Sequence, residues 1–341
     1  MKILMIANMY PSKGNCSGNF IRDQVKSLEK NGIYVNKVVK KSQNILYYIP
    51  FLLSSVLNIC FTDYDLVHAH FVPHSALVPA ILKFKPLVVQ FHGSDARIIP
   101  WKNKVNYYLT KFVTIRADRI IVVSEELKNI LVSRIGVPDY KVDVISVGVD
   151  TELFHPMDKN KLRRDLGLGI EAKIVLFVGR ITQLKGIDLI YQCASNTPDI
   201  QYIFIGRKSD EKGKDLDNCI FVGEVPHSEI PYWMNAADIL ILPSYSEGLP
   251  TVVAEALSCG IPVVVSDVGG CPEVVLDEET GFVIRTGDAD QLKSRILYLF
   301  SDKEIIRKMG CAGRSDVVER YDHKRLIEKL IGVYFLYSDD V

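Results

Sequence analysis

The sequence predicts two successive α/β domains, each built on a parallel sheet covered by helices. Short apolar runs alternate with helical stretches up to about residue 146, and the alternation restarts at residue 173 after a polar, glycine-containing segment, residues 146–169. Such alternation favours parallel sheets with helices on both faces. The chain has 341 residues, which is enough for two domains, and its 48% of hydrophobic residues can supply two cores.

The first half contains six apolar runs of strand length. A helix is predicted over residues 19–32, with Asn19 as its N-terminal cap and Asn31-Gly32 as its stop. Helical stretches separate several of the runs, as the crossovers between parallel strands require. The six predicted strands are KILMIA (2–7), IYVNKVV (33–39), DLVHAH (65–70), PLVVQF (86–91), RIIVVS (119–124) and VDVIS (142–146).

The segment ILYYIPFLLSSVLNICF, residues 45–61, has 17 positions without a charge. That is the lower limit for a membrane-spanning helix, which is the alternative interpretation. Pro50 interrupts the segment, and predicted strands of one domain flank it on both sides. We therefore interpret it as a helix that packs on the sheet and can touch lipid. Residues 1–62 carry eight basic and two acidic side chains, which predicts peripheral contact with an anionic membrane; chance clustering on solvated faces is the alternative.

The second half contains five predicted strands and a long terminal helix. The helix, residues 323–337, is amphipathic and is predicted to cross back to the first domain. The predicted domains are therefore residues 1–155 together with about 322–341, and residues 156–321. The strands are KIVLFVG (173–179), IQYIFIG (200–206), CIFVG (219–223), DILIL (238–242) and IPVVVS (261–266).

Composition excludes some classes of function. Lys+Arg and Asp+Glu both total 41, so the chain as a whole has no electrostatic footprint for nucleic acid. Its seven cysteines form no C-x-x-C pair, which indicates reduced thiols and a cytoplasmic location. That location includes the inner face of the cell membrane. The first residues have no small-residue cleavage site before Pro11 and are interpreted as a strand, not a signal peptide.

The segment YSEGLPTVVAEALSCG, residues 245–260, follows a predicted strand. Pro250 is expected in the first turn of a helix that runs to Cys259. A strand, a tight loop and a helix start together aim backbone N–H groups at an anion. Glu247 and Glu255 then lie on either side of a phosphate bound there. The alternative is that Glu247 is a turn residue and Glu255 a solvated helix residue.

A second strand–loop–helix turn is FVGRITQLKGIDLI, residues 177–190. Its cations, Arg180 and Lys185, suit a pyrophosphate, although the spacing fits neither G-x-x-x-x-G-K-[ST] nor G-x-G-x-x-G. The alternative is a surface loop with two solvated bases. Two further loops follow predicted strands, where ligands of parallel sheets bind: residues 8–20, with Gly14 and Gly18, and QFHGSD, residues 90–95, with His92.

Two metal-site patterns are weak. His68 and His70 share one face of a predicted strand, but no cysteine or carboxylate cluster completes a zinc site. The three D-x-D triplets, Asp63/Asp65, Asp215/Asp217 and Asp288/Asp290, lie in hydrophilic turns or before strands and helices, where aspartate is common without a ligand. No metal site is predicted.

Together these motifs resemble the large retaining glycosyltransferase family 4, which has the two-Rossmann GT-B architecture. The resemblance rests on EGLPTVVAEA (247–256), VGR with Lys185-Gly186 (179–186), HGSD (92–95) and GVDTELFHP (148–156), and it covers nearly the whole chain. Val147 stands where the family commonly has asparagine. The opening residues 8–32 look most like enzymes that build teichuronic acid and other cell-surface polysaccharides.

The resemblance implies two domains facing a central cleft that holds a nucleotide-sugar, UDP- or GDP-linked, with no other cofactor. It implies that Arg180 and Lys185 bind the donor diphosphate, and that the backbone of Gly248 and Leu249 cradles a phosphate. It also implies that Glu255 binds the ribose, that Glu247 and His92 face the reacting sugar, and that Gly18 lines the acceptor-side loop.

The expected activity is a hexosyltransferase-type transfer of a sugar to a lipid-linked or polymer glycan. The resemblance implies retention of the anomeric configuration. We expect no need for a divalent metal, because no D-x-D triplet lies in a metal-binding context. Two alternatives stay open: a nucleotide-sugar 2-epimerase on the same fold, which needs no acceptor, and a catalytically silent module that binds sugar nucleotides.

Overall fold

The structure is a computed structural model that describes residues 1–11, 18–40, 42, 44–84, 86–208 and 216–338, without the side chains of Asn19, Tyr337 and Ser338. The chain forms two units: Met1–Val147 with Lys324–Val341, and Gly148–His323. The sequence prediction set the boundaries at residues 155 and about 322, and the units divide after Val147 and after His323. Each unit is described by itself.

The first unit has a sheet of six parallel strands in the order β2-β1-β3-β4-β5-β6. All six strands agree with the predicted runs. Every residue of β3 and β4 is buried, as expected for central strands of a sheet covered on both faces. The elements are β1 (Lys2–Ala7), α1 (Asn19–Lys30), β2 (Tyr34–Val39), α2 (Tyr48–Phe61), β3 (Leu66–His70), α3 (Leu77–Leu82), β4 (Leu87–Phe91), α4 (Ser94–Arg97), α5 (Lys104–Arg116), β5 (Arg119–Val122), α6 (Glu125–Ile130) and β6 (Val142–Val144).

Helix α1 begins differently from the prediction. Its N-cap is Gly18, with φ +85°, and Asn19 is already the first helical residue. Glycine is needed here because φ is positive and a Cβ would lie 3.1 Å from the carbonyl oxygen of Met9. The predicted stop is confirmed: the helix ends at Lys30, and Gly32 has φ +79°.

Helix α2 is continuous through Pro50, so the predicted interruption is wrong. Pro50 lies in the first turn, where a missing N–H breaks no intrahelical hydrogen bond. Phe51 and Ser55 are buried against the unit. Among the described residues, no helix combines the length and the apolar composition that a membrane span requires.

The outer face of α2 is apolar. Ile49, Leu53, Leu57 and Phe61 repeat every four residues and are 65%, 58%, 56% and 80% exposed. Helix α3 packs against both α2 and α5, and all three helices carry exposed apolar side chains. The charged residues of these three helices are Lys104, Lys111 and Arg116, all basic and all on α5. We call the exposed apolar side chains of α2, α3 and α5 the apolar face.

The second unit has six parallel strands in the order β12-β11-β10-β7-β8-β9. The sequence reasoning predicted five of them and missed β12, a four-residue edge strand. The elements are α7 (Lys159–Asp165), β7 (Lys173–Val178), α8 (Ile187–Ser195), β8 (Ile200–Ile205), β9 (Cys219–Gly223), α9 (Ile230–Ala236), β10 (Ile239–Leu242), α10 (Thr251–Ser258), β11 (Val263–Ser266), α11 (Cys271–Val274), β12 (Gly281–Ile284), α12 (Ala289–Ser301) and α13 (Lys303–Arg320).

The terminal helix α14 (His323–Ser338) returns to the first unit, as predicted. Leu326, Leu330 and Tyr334 lie in the same buried cluster as Ile3 of β1 and Val25 of α1. The three α14 residues are at most 6% exposed. The hydrophobic core of the first unit therefore includes residues from both ends of the chain.

Candidate functional site

Two neighbouring strands of the second sheet, β7 and β10, carry the predicted anion-binding loops. Strand β10 pairs with β7 on one side and with β11 on the other, and chain order reverses between β10 and β7. The crevice beyond the carboxyl ends of strands at such a reversal is where open parallel sheets bind ligands. Both predicted loops therefore lie at the switch point of this sheet.

The two loops pack closely. The backbone N–H of Tyr245 donates to the carbonyl of Leu184 at 2.9 Å. A Cβ on Gly186, which has φ +70°, would lie 2.0 Å from the carbonyl oxygen of Pro243. Only glycine permits this approach, so Gly186 lets the turn after β7 touch the loop after β10.

Lys185 and Glu247 meet at this contact. The Lys185 Nζ lies 2.6 Å from Oε1 of Glu247, and the hydroxyl of Ser244 donates to the same oxygen at 2.6 Å. The Glu247 side chain is only 8% exposed. A carboxylate this buried needs such donors, and it is held in one orientation by them. Arg180 lies two residues after the end of β7 and is exposed.

The helix α10 begins at Thr251 with Pro250 as its N-cap, one residue later than predicted. It ends at Ser258, before Gly260 with φ +77°. No side chain caps its N-terminus, and no acidic residue lies in its first turn. The N–H of Val253 donates to the carbonyl of Pro250 at 3.0 Å. Because no described side chain caps the helix, the N–H groups before Val253 and the positive end of the helix dipole can face an anion.

Glu255, on the second turn of α10, is 9% exposed. This burial contradicts the alternative interpretation of a solvated helix residue. His227 Nε2 lies 3.1 Å from Oε1 of Glu255, and the His227 ring lies 5.2 Å from the ring of Phe154. Sequence reasoning missed His227, because a lone histidine in a polar loop carries no motif.

A third loop supports the Glu247 segment, and sequence reasoning missed it as well. Gly270 N–H donates to the carbonyl of Gly248 at 2.7 Å. A Cβ on Gly269 would lie 2.3 Å from the carbonyl oxygen of Glu247, and one on Gly270 would lie 2.7 Å from Cδ1 of Leu249. The pair Gly269-Gly270 thus fixes the backbone of residues 247–249. The signal in the sequence is the Gly-Gly pair, which begins three residues after the end of β11.

In the first unit, His92 follows β4 and is held by its own loop. The carboxylate of Asp95 accepts from the backbone N–H of His92 at 2.9 Å and from that of Gly93 at 2.8 Å. Burial raises the pKa of Asp95 to about 6, although these backbone hydrogen bonds favour its ionised form. The His92 ring lies 4.7 Å from the rings of Phe20 and Phe71.

His92 ends a row of histidines. His70 Nδ1 lies 3.0 Å from His92 Nε2, the rings of His68 and His70 are 4.2 Å apart, and His68 Nδ1 lies 2.6 Å from the hydroxyl of Tyr334 on α14. Burial lowers the pKa of His68 and of His92 to about 3, and that of His70 well below its ordinary value. The three imidazoles are therefore neutral at pH 7.

Two aspartates of the D-x-D triplets, for which no metal site was predicted, have structural partners. Asp65 accepts from the backbone N–H of Lys2, and Asp288 caps α12. Asp215 lies outside the described residues, as does Gly14. Within the described ranges, no group of three or more His, Cys, Asp or Glu side chains could hold a metal ion.

Two family models match the chain. The model described as "Glycosyltransferase Family 4" matches residues 19–153, and the model described as "Glycosyl transferases group 1" matches residues 158–316. An uncharacterised glycosyltransferase of Methanocaldococcus jannaschii is 26% identical over 368 residues, covering 99% of this chain and 99% of the relative.

A Bacillus subtilis protein, provisionally named teichuronic acid biosynthesis glycosyltransferase TuaC, is 30% identical over 212 residues. The match covers 60% of this chain and 54% of TuaC, so it spans about half the length of that relative. Among solved structures, Anabaena HepE in complex with UDP has a TM-score of 0.80 at 21% identity, covering 98% of this chain and 99% of HepE. At this identity the likeness shows the fold.

Proposed function

Because the chain belongs to the GT-B glycosyltransferases, whose domain models match residues 19–153 and 158–316, we propose that it transfers a sugar from a nucleoside diphosphate-sugar to a glycan acceptor. The observation that carries this proposal is the meeting of Lys185, Glu247 and an uncapped helix start at the switch point of the second sheet. The HepE structures in complex with UDP and with UDP-glucose support a UDP-sugar as the first donor to test, with a GDP-sugar as the second.

In this proposal the second unit binds the donor. Arg180 and Lys185 bind the diphosphate, and the N–H groups of Gly248 and Leu249 bind one of its phosphates. The free start of α10 adds positive potential there. These groups favour departure of the diphosphate, because they stabilise the charge that develops on it.

The two glutamates would bind opposite ends of the donor. Glu255, paired with His227, accepts from the ribose hydroxyls. Glu247 accepts from hydroxyls of the transferred sugar; its Oε1 is held by Lys185 and Ser244, which leaves acceptor capacity on Oε2. An oriented carboxylate is suited to accepting hydrogen bonds from such hydroxyls.

His92 faces the transferred sugar in this proposal, and Gly18 lines the acceptor-side loop. His92 has a lowered pKa of about 3, so it meets the sugar as a neutral imidazole. A neutral imidazole can form a hydrogen bond with a sugar hydroxyl without bringing a positive charge to the sugar. The loop hydrogen bonds from His92 and Gly93 to Asp95 fix its position.

We further propose that the anomeric configuration is retained and that no divalent metal is needed. The acceptor hydroxyl would attack the anomeric carbon on the face from which the diphosphate leaves. The bond from the anomeric carbon to the diphosphate oxygen breaks, the bond to the acceptor oxygen forms, and the departing diphosphate takes the acceptor's proton. A covalent intermediate on Glu247 is less favoured, because Lys185 and Ser244 stabilise its negative charge and so weaken it as a nucleophile.

The acceptor is proposed to be a lipid-linked or polymer glycan reached from the inner face of a membrane. The apolar face supports this: four large apolar side chains of α2 point outward, and the nearby α5 adds only basic charge. Exposed apolar surface of this kind marks an interaction site, and basic residues beside it favour anionic lipid.

Thermal melting with a panel of nucleotides tests the donor proposal. A ligand at 100 times its Kd stabilises the folded state by about 2.7 kcal/mol, so the correct nucleoside diphosphate-sugar should raise Tm clearly. UDP- and GDP-sugars are compared with the matching nucleosides, which lack phosphate and should have little effect. Incubation of the best donor without acceptor then tests for an epimer. If no nucleotide raises Tm, the donor site proposed here is wrong.

A further inference from the structure

Lys40 is a buried cation that the proposed donor chemistry does not use. It directly follows β2, and its backbone N–H donates to the carbonyl of Ala7 at 3.1 Å. The residue is only 7% exposed. Among the residues that the structure describes, no carboxylate forms an ion pair with it. Lysine is one of the residues least often buried without a partner, because desolvating the ammonium is costly.

The Lys40 ammonium lies over an aromatic ring. Nζ lies 3.9 Å from the ring centroid of Tyr48, at the start of α2. The ring of His74 lies 5.6 Å from that of Tyr48. Burial first, and the positive charge of Lys40 second, lower the pKa of His74. A cation–π contact offsets part of the desolvation cost but leaves the positive charge without a counter-ion.

A second polar group at the same edge of the sheet lacks a partner. Asn8 directly follows β1, whose Ala7 pairs with Val39 of β2, so Asn8 and Lys40 are neighbours beyond the carboxyl ends of these strands. The backbone N–H of Asn8 donates to the buried hydroxyl of Ser75 at 3.0 Å. Its side-chain Oδ1 is buried, and the described structure gives it no hydrogen-bond partner. A hydroxyl donor is what this oxygen requires.

We propose that Lys40, Tyr48 and His74 bind an anionic group of the acceptor, a phosphate or a carboxylate, and that Asn8 accepts from a sugar hydroxyl beside it. This subsite rests on the proposed function, since it assigns the acceptor as an anionic sugar derivative. The buried ammonium supplies the charge, the tyrosine hydroxyl and the imidazole supply hydrogen bonds, and the position beyond the strand ends is where such sheets bind ligands.

The test titrates small anions into the protein while the side-chain NMR signals of its seven histidines are followed. The probes are inorganic phosphate, glucose 1-phosphate and glucuronate, with glucose as the uncharged control. UDP is present at saturation so that the donor site is occupied. The His74 signal, assigned with His74→Gln, should shift saturably with at least one anion and not with glucose. Phosphate and glucuronate distinguish the two anion classes.

The variants separate binding from folding. Lys40→Met keeps most of the side-chain volume and should lower the affinity for the anion at least tenfold. Lys40→Arg keeps the positive charge and should still bind the anion. Lys37→Met is the matched control on β2, since Lys37 is exposed and pairs with Glu29 at 3.9 Å, and it should bind as the wild type does. Because Lys40→Met removes an unpaired buried charge, its Tm should equal or exceed that of the wild type.

Equal anion affinity in the wild type and Lys40→Met, or no saturable shift of His74 with any anion, would overturn the subsite. If Lys40→Met does not fold, failure of the folded Lys40→Arg variant to bind would do the same. Absence of UDP binding in the wild type instead overturns the proposed donor function, and the His74 measurement is then made without UDP, because His74 and the donor loops belong to different units.

Discussion

Lys185 Nζ lies 2.6 Å from Oε1 of Glu247, across 62 positions of sequence. One residue was predicted to bind the donor diphosphate and the other the donor sugar, and the structure brings them into direct contact. The ion pair is mostly shielded from solvent, with side chains 29% and 8% exposed. A change at either residue therefore alters the electrostatic environment of the other, so the single variants are compared with a double variant.

The two predicted diphosphate ligands should differ in their effect on stability. Arg180→Ala and Lys185→Ala should each weaken UDP binding by about 1.5–3 kcal/mol, as for hydrogen bonds to charged groups. Only Lys185→Ala should also destabilise the fold, by on the order of 1–3 kcal/mol, because the buried Glu247 carboxylate then keeps Ser244 alone as a side-chain donor. Calorimetry measures binding and urea unfolding measures stability.

The double variant Lys185→Ala/Glu247→Gln is the control for this effect. It removes the charge that the single variant leaves buried, so it should recover part of the lost stability without recovering UDP binding. Unchanged UDP affinity in both single variants would contradict the diphosphate assignment.

The two glutamates should separate turnover from binding. Glu247→Gln should lower kcat by roughly 100-fold, as loss of a transition-state contact does, and change the Kd of UDP little. Glu255→Ala should weaken UDP binding more than it lowers kcat, because a ribose contact exists in both ground and transition states. His227→Ala should act like Glu255→Ala, more weakly. Steady-state kinetics and calorimetry check this; near-wild-type kcat for Glu247→Gln would exclude its assigned role.

Because the imidazoles of His68, His70 and His92 are buried and neutral, we expect the protein to lose stability in mild acid. The folded pKa of His68 and of His92 is about 3, against about 6.5 when unfolded, so their stabilisation is complete above pH 6.5 and is lost as pH falls towards 3. His70 acts in the same direction. Asp95, with its pKa raised to about 6, acts oppositely: its contribution is lost as pH rises through 6.

Urea unfolding at pH 7.5 and 5.5 measures the balance. Compared with pH 7.5, each buried histidine should lower the free energy of unfolding at pH 5.5 by about 1 kcal/mol, and Asp95 should raise it by just under 1 kcal/mol. The expected net decrease in the free energy of unfolding is roughly 2–3 kcal/mol. His68→Gln should reduce the pH dependence, whereas His155→Gln, at an exposed position, should not. Identical pH dependence in wild type and His68→Gln would contradict this account.

The apolar face should bind anionic lipid. The wild type should sediment with vesicles that contain phosphatidylglycerol at low salt, and less so at high salt, because salt screens the basic side chains. Leu53→Ser/Leu57→Ser should lower the partition coefficient about tenfold or more, since two exposed leucines no longer enter the lipid. Leu297→Ser, at a residue 47% exposed on α12, is the matched control. Equal sedimentation of all three proteins would refute lipid docking through α2.

The proposed chemistry predicts the product and its metal dependence. Proton NMR of the product should show an anomeric coupling that matches the donor's configuration, and EDTA should leave the rate unchanged, because Arg180, Lys185 and the start of α10 already supply positive potential. Activity that disappears in EDTA and returns with magnesium or manganese would overturn metal independence. An inverted linkage would overturn the same-face mechanism.

Local patterns were sufficient to predict most elements of the fold. Buried runs such as LVVQF of β4 predict strands because parallel strands covered on both faces are continuously apolar. The predicted return of α14 is confirmed, and so are all strands of the first sheet. Strand β12 was missed because its short run, GFVI, begins with glycine, a residue that is depleted in strands. Asn19 was wrongly chosen as a cap because the local pattern does not show the positive φ of Gly18 or its close approach to the backbone of Met9.

Sequence motifs identified candidate residues of the site, but they did not predict which of these residues contact each other. The glutamates and the two basic residues were named from their loops, yet the pairing of Lys185 with Glu247 depends on which strands are neighbours, and sequence periodicity does not specify strand order. His227 and Gly269-Gly270 were missed for the same reason: each acts through a partner on another element, Glu255 for the histidine and residues 247–249 for the glycines.

The return of α14 has a consequence for how the protein is made. The second unit is one continuous stretch, Gly148–His323, so all of its residues are synthesised before Leu326, Leu330 and Tyr334. Most of the first unit is synthesised earlier still, but it lacks these three side chains, which complete its core, until α14 has left the ribosome. The unit that is begun first is therefore completed only after the second unit has been made, and until then it exposes the apolar surface that α14 later covers, where a chaperone can bind.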